Sequence, residues 1–228
     1  MQEIYFDNNA TTRVDDAVFE EMRPYYCALY GNPSSMHYFG GQVQSKVTEA
    51  RKRVADLLGA LPEEIVFTAC GTESDNTAIR SALEVLPNRK HIITSRVEHP
   101  AVLTQCRNLA AKGYRVTEIG VDGAGRLNMD EYRAALDDDT AIVSFMWANN
   151  ETGVIFPIEE CAAMAKRAGA LFHTDAVQAV GKIPINMATS SIDMLSLSGH
   201  KLHAPKGIGA LYLRKGTPFK PLLVGGHQ

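Results

Sequence analysis

Short apolar runs alternate with amphipathic helical stretches along almost the whole chain, and this alternation constrains the fold more than any other feature. One run, HIITS, covers residues 91–95, and the helix predicted after it begins at Pro100, a residue well suited to a first helical turn. The runs are largely apolar and most lack a strict alternation of apolar and polar residues, which is typical of strands buried on both faces. Helices between such strands allow parallel pairing. The sequence therefore predicts a three-layer α/β/α fold around a mainly parallel sheet.

The pattern predicts seven strands and five helices, with no internal repeat and no obvious linker. The predicted strands cover residues 64–68, 91–95, 114–120, 140–147, 170–175, 192–198 and part of 207–216. The predicted helices cover residues 42–60, 70–86 with a turn at the start, 100 to about 112, 129–136 and 158–169. Hydrophobic residues make up 45% of the 228 residues and charged residues 21%, so the chain can bury a sizeable core.

Charge, cysteine spacing and hydropathy exclude several classes of function. The formal net charge of −3 gives no reason to expect binding to nucleic acid or to an anionic membrane. The four cysteines lie far apart and suggest neither a metal site nor a disulfide framework. No stretch approaches the roughly 20 apolar residues that span a bilayer, and the first residues have no apolar signal-peptide core. A cytoplasmic location is therefore expected.

A possible anion site follows the strand at 64–68, where functional groups of parallel α/β folds gather. The segment CGTES, residues 70–74, includes Gly71 and Thr72 and precedes a helical pattern. Glycine, a hydroxyl and the free N–H groups of a helix N-terminus can bind an anion. The same residues can form an ordinary Ser/Thr helix cap, so this segment alone leaves both interpretations open.

Three further strand ends carry side chains that suit either a binding site or a turn. His99 follows the second strand and can cap a helix or face a ligand, and Asn150 belongs to a paired-asparagine turn that can also contact a substrate. Asp175 comes directly after an apolar run, where a carboxylate is costly to bury unless it caps a helix or pairs with a cation. Gln178 lies one turn further on and can face the same place if the segment is helical.

The segment SLSGHKLHAPKG, residues 196–207, puts a lysine beside groups that can bind an anion. Lys201 comes directly after Ser198, Gly199 and His200 at the end of an apolar run. A lysine that is partly removed from water has a lowered pKa and becomes a usable nucleophile, whereas the alternative is a solvated surface lysine. The histidines nearby also suggest a metal site, but no zinc motif is present and no metal is predicted.

Taken together, these strand ends describe a site for pyridoxal 5′-phosphate. The cofactor requires an anion cradle for its phosphate, a carboxylate for its ring nitrogen, a group that stacks on the ring and a lysine that forms a Schiff base. In this interpretation Lys201 is the Schiff-base lysine, and Asp175 keeps the ring nitrogen protonated so that the ring accepts electrons.

Seven segments carry a resemblance to a known family. They are YFDNNATTRVD, GNPSSMH, FTACGTESDN, VEHPAV, WANNETG, HTDAVQAVGK and SLSGHKLHAPKGIGALY, spread over essentially the whole chain. In these segments the chain resembles the cysteine desulfurases, class V aminotransferase-like members of the fold-type I pyridoxal phosphate enzymes, and most closely the NifS group. The resemblance implies a cofactor-binding large domain at residues 16–228 and an N-terminal segment at 1–15 that associates with a small domain.

The resemblance also implies a role for each candidate residue. Lys201 would bind the cofactor covalently and carry protons, and His99 would stack on the ring and act as an acid or base, so these two are the predicted catalytic residues. Asp175 would pair with the pyridine nitrogen and Gln178 with the phenolic oxygen. The other predicted cofactor-binding residues are Gly71, Thr72, Ser198 and His200 at the phosphate, Gly199 beside them, and Asn150 near the substrate carboxylate.

The reaction implied by the resemblance converts L-cysteine to L-alanine and leaves sulfane sulfur on an enzyme cysteine. The sulfur would serve iron–sulfur cluster assembly, and nitrogenase in the case of the NifS group, with an iron–sulfur scaffold protein as acceptor and a homodimer as the working form. Family members are longer, so we expect this chain to lack the persulfide cysteine and most of the small C-terminal domain, and to be inactive by itself. A selenocysteine lyase, an aminotransferase or a non-catalytic cofactor-binding fragment are alternatives.

Overall fold

Seven strands form one mixed sheet at the centre of the structure, a computed structural model that describes residues 4–225. The strands are β1 (Ile65–Thr68), β2 (His91–Ser95), β3 (Arg115–Ile119), β4 (Thr140–Met146), β5 (Leu171–Asp175), β6 (Met194–Ser198) and β7 (Gly209–Leu213). Their order across the sheet is β1-β7-β6-β5-β4-β2-β3, and β7 runs antiparallel to both of its neighbours. All other neighbouring strands are parallel, which confirms the predicted mainly parallel sheet.

The five predicted helices are present, and two short helices precede them. The helices are α1 (Asp16–Met22), α2 (Pro24–Cys27), α3 (Tyr38–Leu58), α4 (Gly71–Val85), α5 (Pro100–Ala110), α6 (Met129–Ala135) and α7 (Ile158–Arg167). Neither α1 nor α2 has a buried residue. With seven and four residues, these helices are too short for a helical period to be recognised in the sequence, so neither was predicted.

The core has two parts, one on each face of the sheet, and successive strand residues alternate between them. Ile92 packs against α4 and α5 on one face, whereas Ile93 packs with α3, α6 and α7 on the other. The same alternation holds for Leu211 and Tyr212 on β7. Both faces are therefore covered by helices, as the continuous apolar strands predicted, and the three-layer α/β/α fold is confirmed.

The N-terminal segment lies against the loop after β6, at the edge where the parallel strands have their carboxyl ends. The Thr12 N–H donates to the carbonyl of His200 at 2.9 Å, and the Asp15 N–H donates to the carbonyl of His203 at 3.0 Å. The assignment of residues 1–15 to a small domain stays a prediction, and residues 1–3 and 226–228 lie outside the described residues. Between residues 4 and 225, every helix is too short or too polar to cross a bilayer.

Candidate functional site

A cavity of about 570 Å³ opens at the carboxyl edge of the sheet. Its lining includes nearly every residue that the sequence singled out, contributed by loops after four different strands and by the first turn of α4. These lining residues are Gly71, Thr72, His99, Asn150, Asp175, Gln178, Ser198, His200 and Lys201. Gly199 is absent from the lining. A Cβ atom at Gly199 would meet Ile208 Cγ2 at 2.7 Å, so this glycine allows the close packing behind the cavity.

The first turn of α4 forms one end of the cavity and is not capped by a side chain. Cys70 occupies the N-cap position without a side-chain hydrogen bond to the helix, so the ordinary helix-cap interpretation does not hold here. The Ser198 hydroxyl is buried next to this turn and has no hydrogen-bond partner within residues 4–225. A Cβ atom at Gly71 would lie 2.9 Å from Val177 and 3.6 Å from the Ser198 Cβ, so glycine brings the helix N-terminus close to both. This end suits an anion.

Lys201 lies half-buried in the cavity wall. Its ammonium group donates to the carbonyl of Ala10 at 2.7 Å and also to the carbonyl of Asn9. Burial, followed by repulsion from Lys182, lowers the pKa of Lys201, and attraction to Asp175 only partly offsets this. Lys201 is therefore not a fully solvated surface lysine. Its surroundings favour the neutral amine more than bulk water would.

Asp175 is buried and its carboxyl lines the same cavity. Its Oδ1 accepts a hydrogen bond from the Val177 N–H at 2.9 Å, so one oxygen stabilises the turn after β5. Burial raises the pKa of Asp175, and the Val177 N–H, His99 and Lys201 act in the opposite direction. Gln178 also lines the cavity, and its side-chain N–H donates to the carbonyl of Asn9 at 2.8 Å.

His99 and Asn150 each combine a local structural role with a place in the lining. His99 caps α5, because its Nδ1 accepts from the Ala101 N–H at 3.1 Å. A neutral imidazole at this position therefore carries its proton on Nε2. In the paired-asparagine turn, Asn149 is the turn former, since its Oδ1 accepts from the N–H groups of Glu151 and Thr152. Asn150 is the one that lines the cavity.

The structure adds lining residues that the sequence reasoning did not single out. They are Asp7, Asn9 and Ala10 in the N-terminal segment and Asp75 within α4, together with Met146, Ala148, Glu151 and Val177. Cys70, the first residue of the CGTES segment that the sequence analysis marked as a possible anion site, also lines the cavity. Asp7, Asn9 and Ala10 belong to the motif YFDNNATTRVD, which carries part of the family resemblance, but the sequence alone indicates no role for them in the site. Asp75 had no signal of its own, because a polar residue inside a helical pattern is normally placed on the solvated face.

The histidines near the site have partners other than a metal. His173 is fully buried, with Nδ1 2.8 Å from the Ser144 hydroxyl and Nε2 2.8 Å from the Ser196 hydroxyl. His200 Nδ1 lies 3.1 Å from the Thr11 hydroxyl. Within the described part of the chain, no group of three or more His, Cys, Asp or Glu residues is arranged to hold a metal ion.

Comparison with known proteins gives a consistent result. Residues 4–228 match the aminotransferase class-V family model. A cysteine desulfurase of Trichormus azollae is 61% identical over 228 residues, and the cysteine desulfurase NifS of Azotobacter vinelandii is 60% identical over 229 residues. Both alignments include 100% of this chain and 57% of the relative, so the chain spans little more than half the length of these proteins.

Solved structures agree with the sequence comparison. A NifS-like protein superposes with a TM-score of 0.95 at 44% identity, over 99% of this chain and 62% of that one. A structure described as SspA in complex with cysteine superposes with a TM-score of 0.94 at 39% identity, over 98% of this chain and 65% of that one. The family match over nearly the full chain and the shared fold lead to one conclusion: the chain belongs to the aminotransferase class-V family.

Proposed function

We propose that the protein is a pyridoxal-phosphate-dependent cysteine desulfurase, to which this chain contributes the cofactor-binding part. The observation that carries the proposal is the half-buried Lys201, which lines one cavity together with the buried carboxyl of Asp175. At the end of that cavity lie an uncapped helix N-terminus and the unpartnered hydroxyl of Ser198. A lysine, a carboxyl and an anion cradle are the three groups by which proteins hold this cofactor.

The residues present fit the phosphate of the cofactor. A buried hydroxyl without a partner is unfavourable, and an anion next to the first turn of α4 would give Ser198 an acceptor. The N–H groups of Gly71 and Thr72 and the helix dipole would stabilise the same charge. We assign His200 to this cradle because it lines the cavity. Burial and the charges of Lys201 and Lys206 lower its pKa, so it would act there as a neutral hydrogen-bonding group and not as a cation.

The residues also fit the ring. The Asp175 carboxyl would hold the protonated ring nitrogen, and Gln178 would donate to the phenolic oxygen after releasing the carbonyl of Asn9. His99 would stack on the ring, and the hydrogen bond from the Ala101 N–H leaves its Nε2 proton available for transfer. Asn150 would contact the amino acid substrate.

Lys201 has the properties of a group that binds covalently and then carries a proton. Because burial and Lys182 lower its pKa, more of its Nζ is in the nucleophilic amine form than for a solvated lysine. The carbonyls of Asn9 and Ala10 hold Nζ at the cavity wall while it is charged. Pyridoxal phosphate, when bound, supplies an electron sink that weakens the bonds to the α-carbon of an amino acid.

The overall reaction that we propose moves one sulfur atom from L-cysteine to a protein thiol. The C–S bond of cysteine breaks, an S–S bond to the thiol forms, and a proton is added to the β-carbon, which gives L-alanine and a persulfide. The sulfur is oxidised to the sulfane level and the β-carbon is reduced, so the step needs no external oxidant. We assign the accepting thiol to the part of the relatives' length that this chain does not span.

The names of the relatives support cysteine as the substrate, and the resemblance to the NifS group is the basis for proposing a destination for the sulfur. Relatives at 60% and 61% identity are named cysteine desulfurases, and one of them is named NifS. On this basis we propose that the sulfur serves iron–sulfur cluster assembly, including that of nitrogenase, through a scaffold protein. We also propose that the protein works as a homodimer in the cytoplasm.

The test is covalent labelling of the intact protein. Incubation with pyridoxal phosphate, borohydride reduction and peptide mapping should label Lys201, and Lys201→Ala should abolish the label. Lys206→Ala is the matched control, since Lys206 is an exposed lysine of the same loop and should leave the label unchanged. A label that survives in Lys201→Ala would refute the assignment. Alanine formed from L-cysteine identifies a desulfurase, whereas alanine formed only from selenocysteine or a keto acid product would identify another class V enzyme.

A further inference from the structure

A second buried carboxyl shares the cavity with Asp175. Asp75 lies on α4, is 1% exposed, and lines the cavity that holds Asp175 and Lys201. Its Oδ1 is buried and has no hydrogen-bond partner within residues 4–225. Two buried carboxyls that line one cavity cannot both carry a charge at low cost, so we expect one of them to hold a proton.

Among residues 4–225, no lysine or arginine forms an ion pair with Asp75. The nearest basic group is His173, whose Nε2 lies 3.6 Å from Oδ1. Burial lowers the pKa of His173 to about 3, and both of its ring nitrogens are already engaged by the hydroxyls of Ser144 and Ser196. His173 is therefore neutral at physiological pH and does not favour an ionised Asp75.

The other titratable groups that act on Asp75 are acidic. Burial raises the pKa of Asp75 well above its usual value, followed by repulsion from Asp175, and Glu98 and Cys70 act in the same direction. The Ser196 hydroxyl acts in the opposite direction but is outweighed. Burial and these acidic neighbours together favour a neutral Asp75.

Asp175 has partners that favour its ionised form. Its Oδ1 accepts a hydrogen bond from the Val177 N–H, and His99 and Lys201 both lower its pKa. Within the described residues, Asp175 thus has a backbone donor and the stabilising charge of Lys201, neither of which is found for Asp75. The proton that the pair must keep is better held by Asp75.

We propose that Asp75 is a positioning residue that keeps the proton of this carboxyl pair, so that Asp175 holds the negative charge needed by a cationic ring nitrogen. The inference rests on the proposed function for its purpose but not for its chemistry. A neutral Asp75 is close in shape and charge to asparagine. Asp75→Asn should therefore preserve cofactor binding, whereas Asp175→Asn should weaken it.

The proton is observed by infrared spectroscopy of the intact, cofactor-free protein at pH 7. A protonated carboxyl has a distinct C=O band, and labelling with [4-¹³C]aspartate shifts the bands of aspartates but not that of Glu98. We expect one shifted band in the wild type, its loss in Asp75→Asn and its persistence in Asp175→Asn. Asp193→Asn is the control, because Asp193 is a partly buried aspartate whose Oδ2 accepts from the Phe172 N–H, outside the cavity.

Binding of pyridoxal phosphate is the second readout. We expect the Kd of Asp75→Asn to stay within about threefold of the wild type, and that of Asp175→Asn to rise at least about tenfold through loss of a charge-assisted hydrogen bond. A band that persists in Asp75→Asn, or a loss of affinity there as large as in Asp175→Asn, would overturn the proposal. If Asp75→Asn does not fold, Asp175→Asn decides: loss of the band in that variant overturns it.

The two readouts keep this inference separate from the proposed function. A wild-type protein that binds no pyridoxal phosphate would contradict the proposed function. The infrared experiment uses the cofactor-free protein, so it would still show which aspartate holds the proton. Conversely, a protein that binds the cofactor on Lys201 but shows no aspartate band at pH 7 would keep the function and refute the role of Asp75.

Discussion

Replacing Glu98 by glutamine should reduce the loss of stability that the protein undergoes as pH rises from 5 to 7. Glu98 is 5% exposed, and its Oε1 accepts from the Ser95 hydroxyl at 2.6 Å and from the Met146 N–H at 2.9 Å. Its Oε2 is buried without a partner within residues 4–225. Burial raises the pKa of Glu98 from 4.5 to about 8, although the bonds from Ser95 and Met146 oppose the shift.

The sign of the effect follows from proton linkage. Between pH 4.5 and about 8 the folded protein keeps a proton on Glu98 that the unfolded chain releases, so rising pH favours unfolding. Each pH unit in this window lowers the free energy of unfolding by about 1.4 kcal/mol, or about 3 kcal/mol from pH 5 to pH 7. That is a large share of the roughly 5–15 kcal/mol that stabilises an ordinary domain. His173 has the opposite effect on the free energy of unfolding. Burial lowers its pKa to about 3, so as pH falls the unfolded chain binds a proton that the folded protein does not, and the folded state loses stability.

The assay compares urea unfolding of the intact wild type and Glu98→Gln at pH 5, 6 and 7. Glutamine keeps an acceptor oxygen for Ser95 and Met146 and cannot ionise. His173 contributes equally to both proteins, so its effect cancels when the free energy of unfolding of the wild type is subtracted from that of the variant. This difference should shift by about 3 kcal/mol in favour of the variant between pH 5 and 7. Glu84→Gln, at an exposed position on α4, should show no such shift. Parallel curves for the wild type and Glu98→Gln would refute the reasoning.

Three further predictions test the cradle, the core and the cysteines. Ser198→Ala should weaken binding of pyridoxal phosphate by roughly tenfold through loss of one bond to an anion, but should leave binding of pyridoxal, which has no phosphate, unchanged in a fluorescence titration. Tyr132→Phe should lower the free energy of unfolding by about 1 kcal/mol in urea titrations, because the buried hydroxyl donates to the carbonyl of Cys161 at 2.8 Å; an unaltered midpoint would contradict this. In timed alkylation read by mass spectrometry, the exposed Cys27 should react first, whereas Cys106 and Cys161, whose pKa values burial raises to about 12, should react only after unfolding. Early labelling of a buried thiol would show that the core opens more readily than its packing implies.

The strands and the polar residues directly after them were predictable from the sequence because both depend on local pattern. Largely apolar runs marked β2, β4 and β6, and the side chains at the carboxyl ends of parallel strands meet at one edge. The direction of β7 was not predictable. Its sequence GALYL is as apolar as that of a parallel strand, and nothing local records that it runs against both neighbours.

Two features of the site were beyond sequence reasoning for different physical reasons. Asn9 and Ala10 contact Lys201 through backbone carbonyls, which every residue type possesses, so the identity of these residues gives no signal for that contact. Asp75 breaks the rule that polar residues of an amphipathic helix face water. It is buried because α4 packs across the sheet beside the cavity, and that position depends on the assembled fold.

The bonds between the N-terminal segment and the Lys201 loop determine when the site can form during folding. The partners of the Lys201–Asn9 bond are 192 residues apart in sequence, and those of the Thr12–His200 bond 188. Closing a flexible loop of that size has a length-dependent entropy term of about 5 kcal/mol, which is compensated only once the sheet has brought the ends together. Contacts of such long range slow folding and come late in it. During synthesis, the N-terminal segment is made before β6 and its loop, so the cavity wall can close only after these later residues have folded.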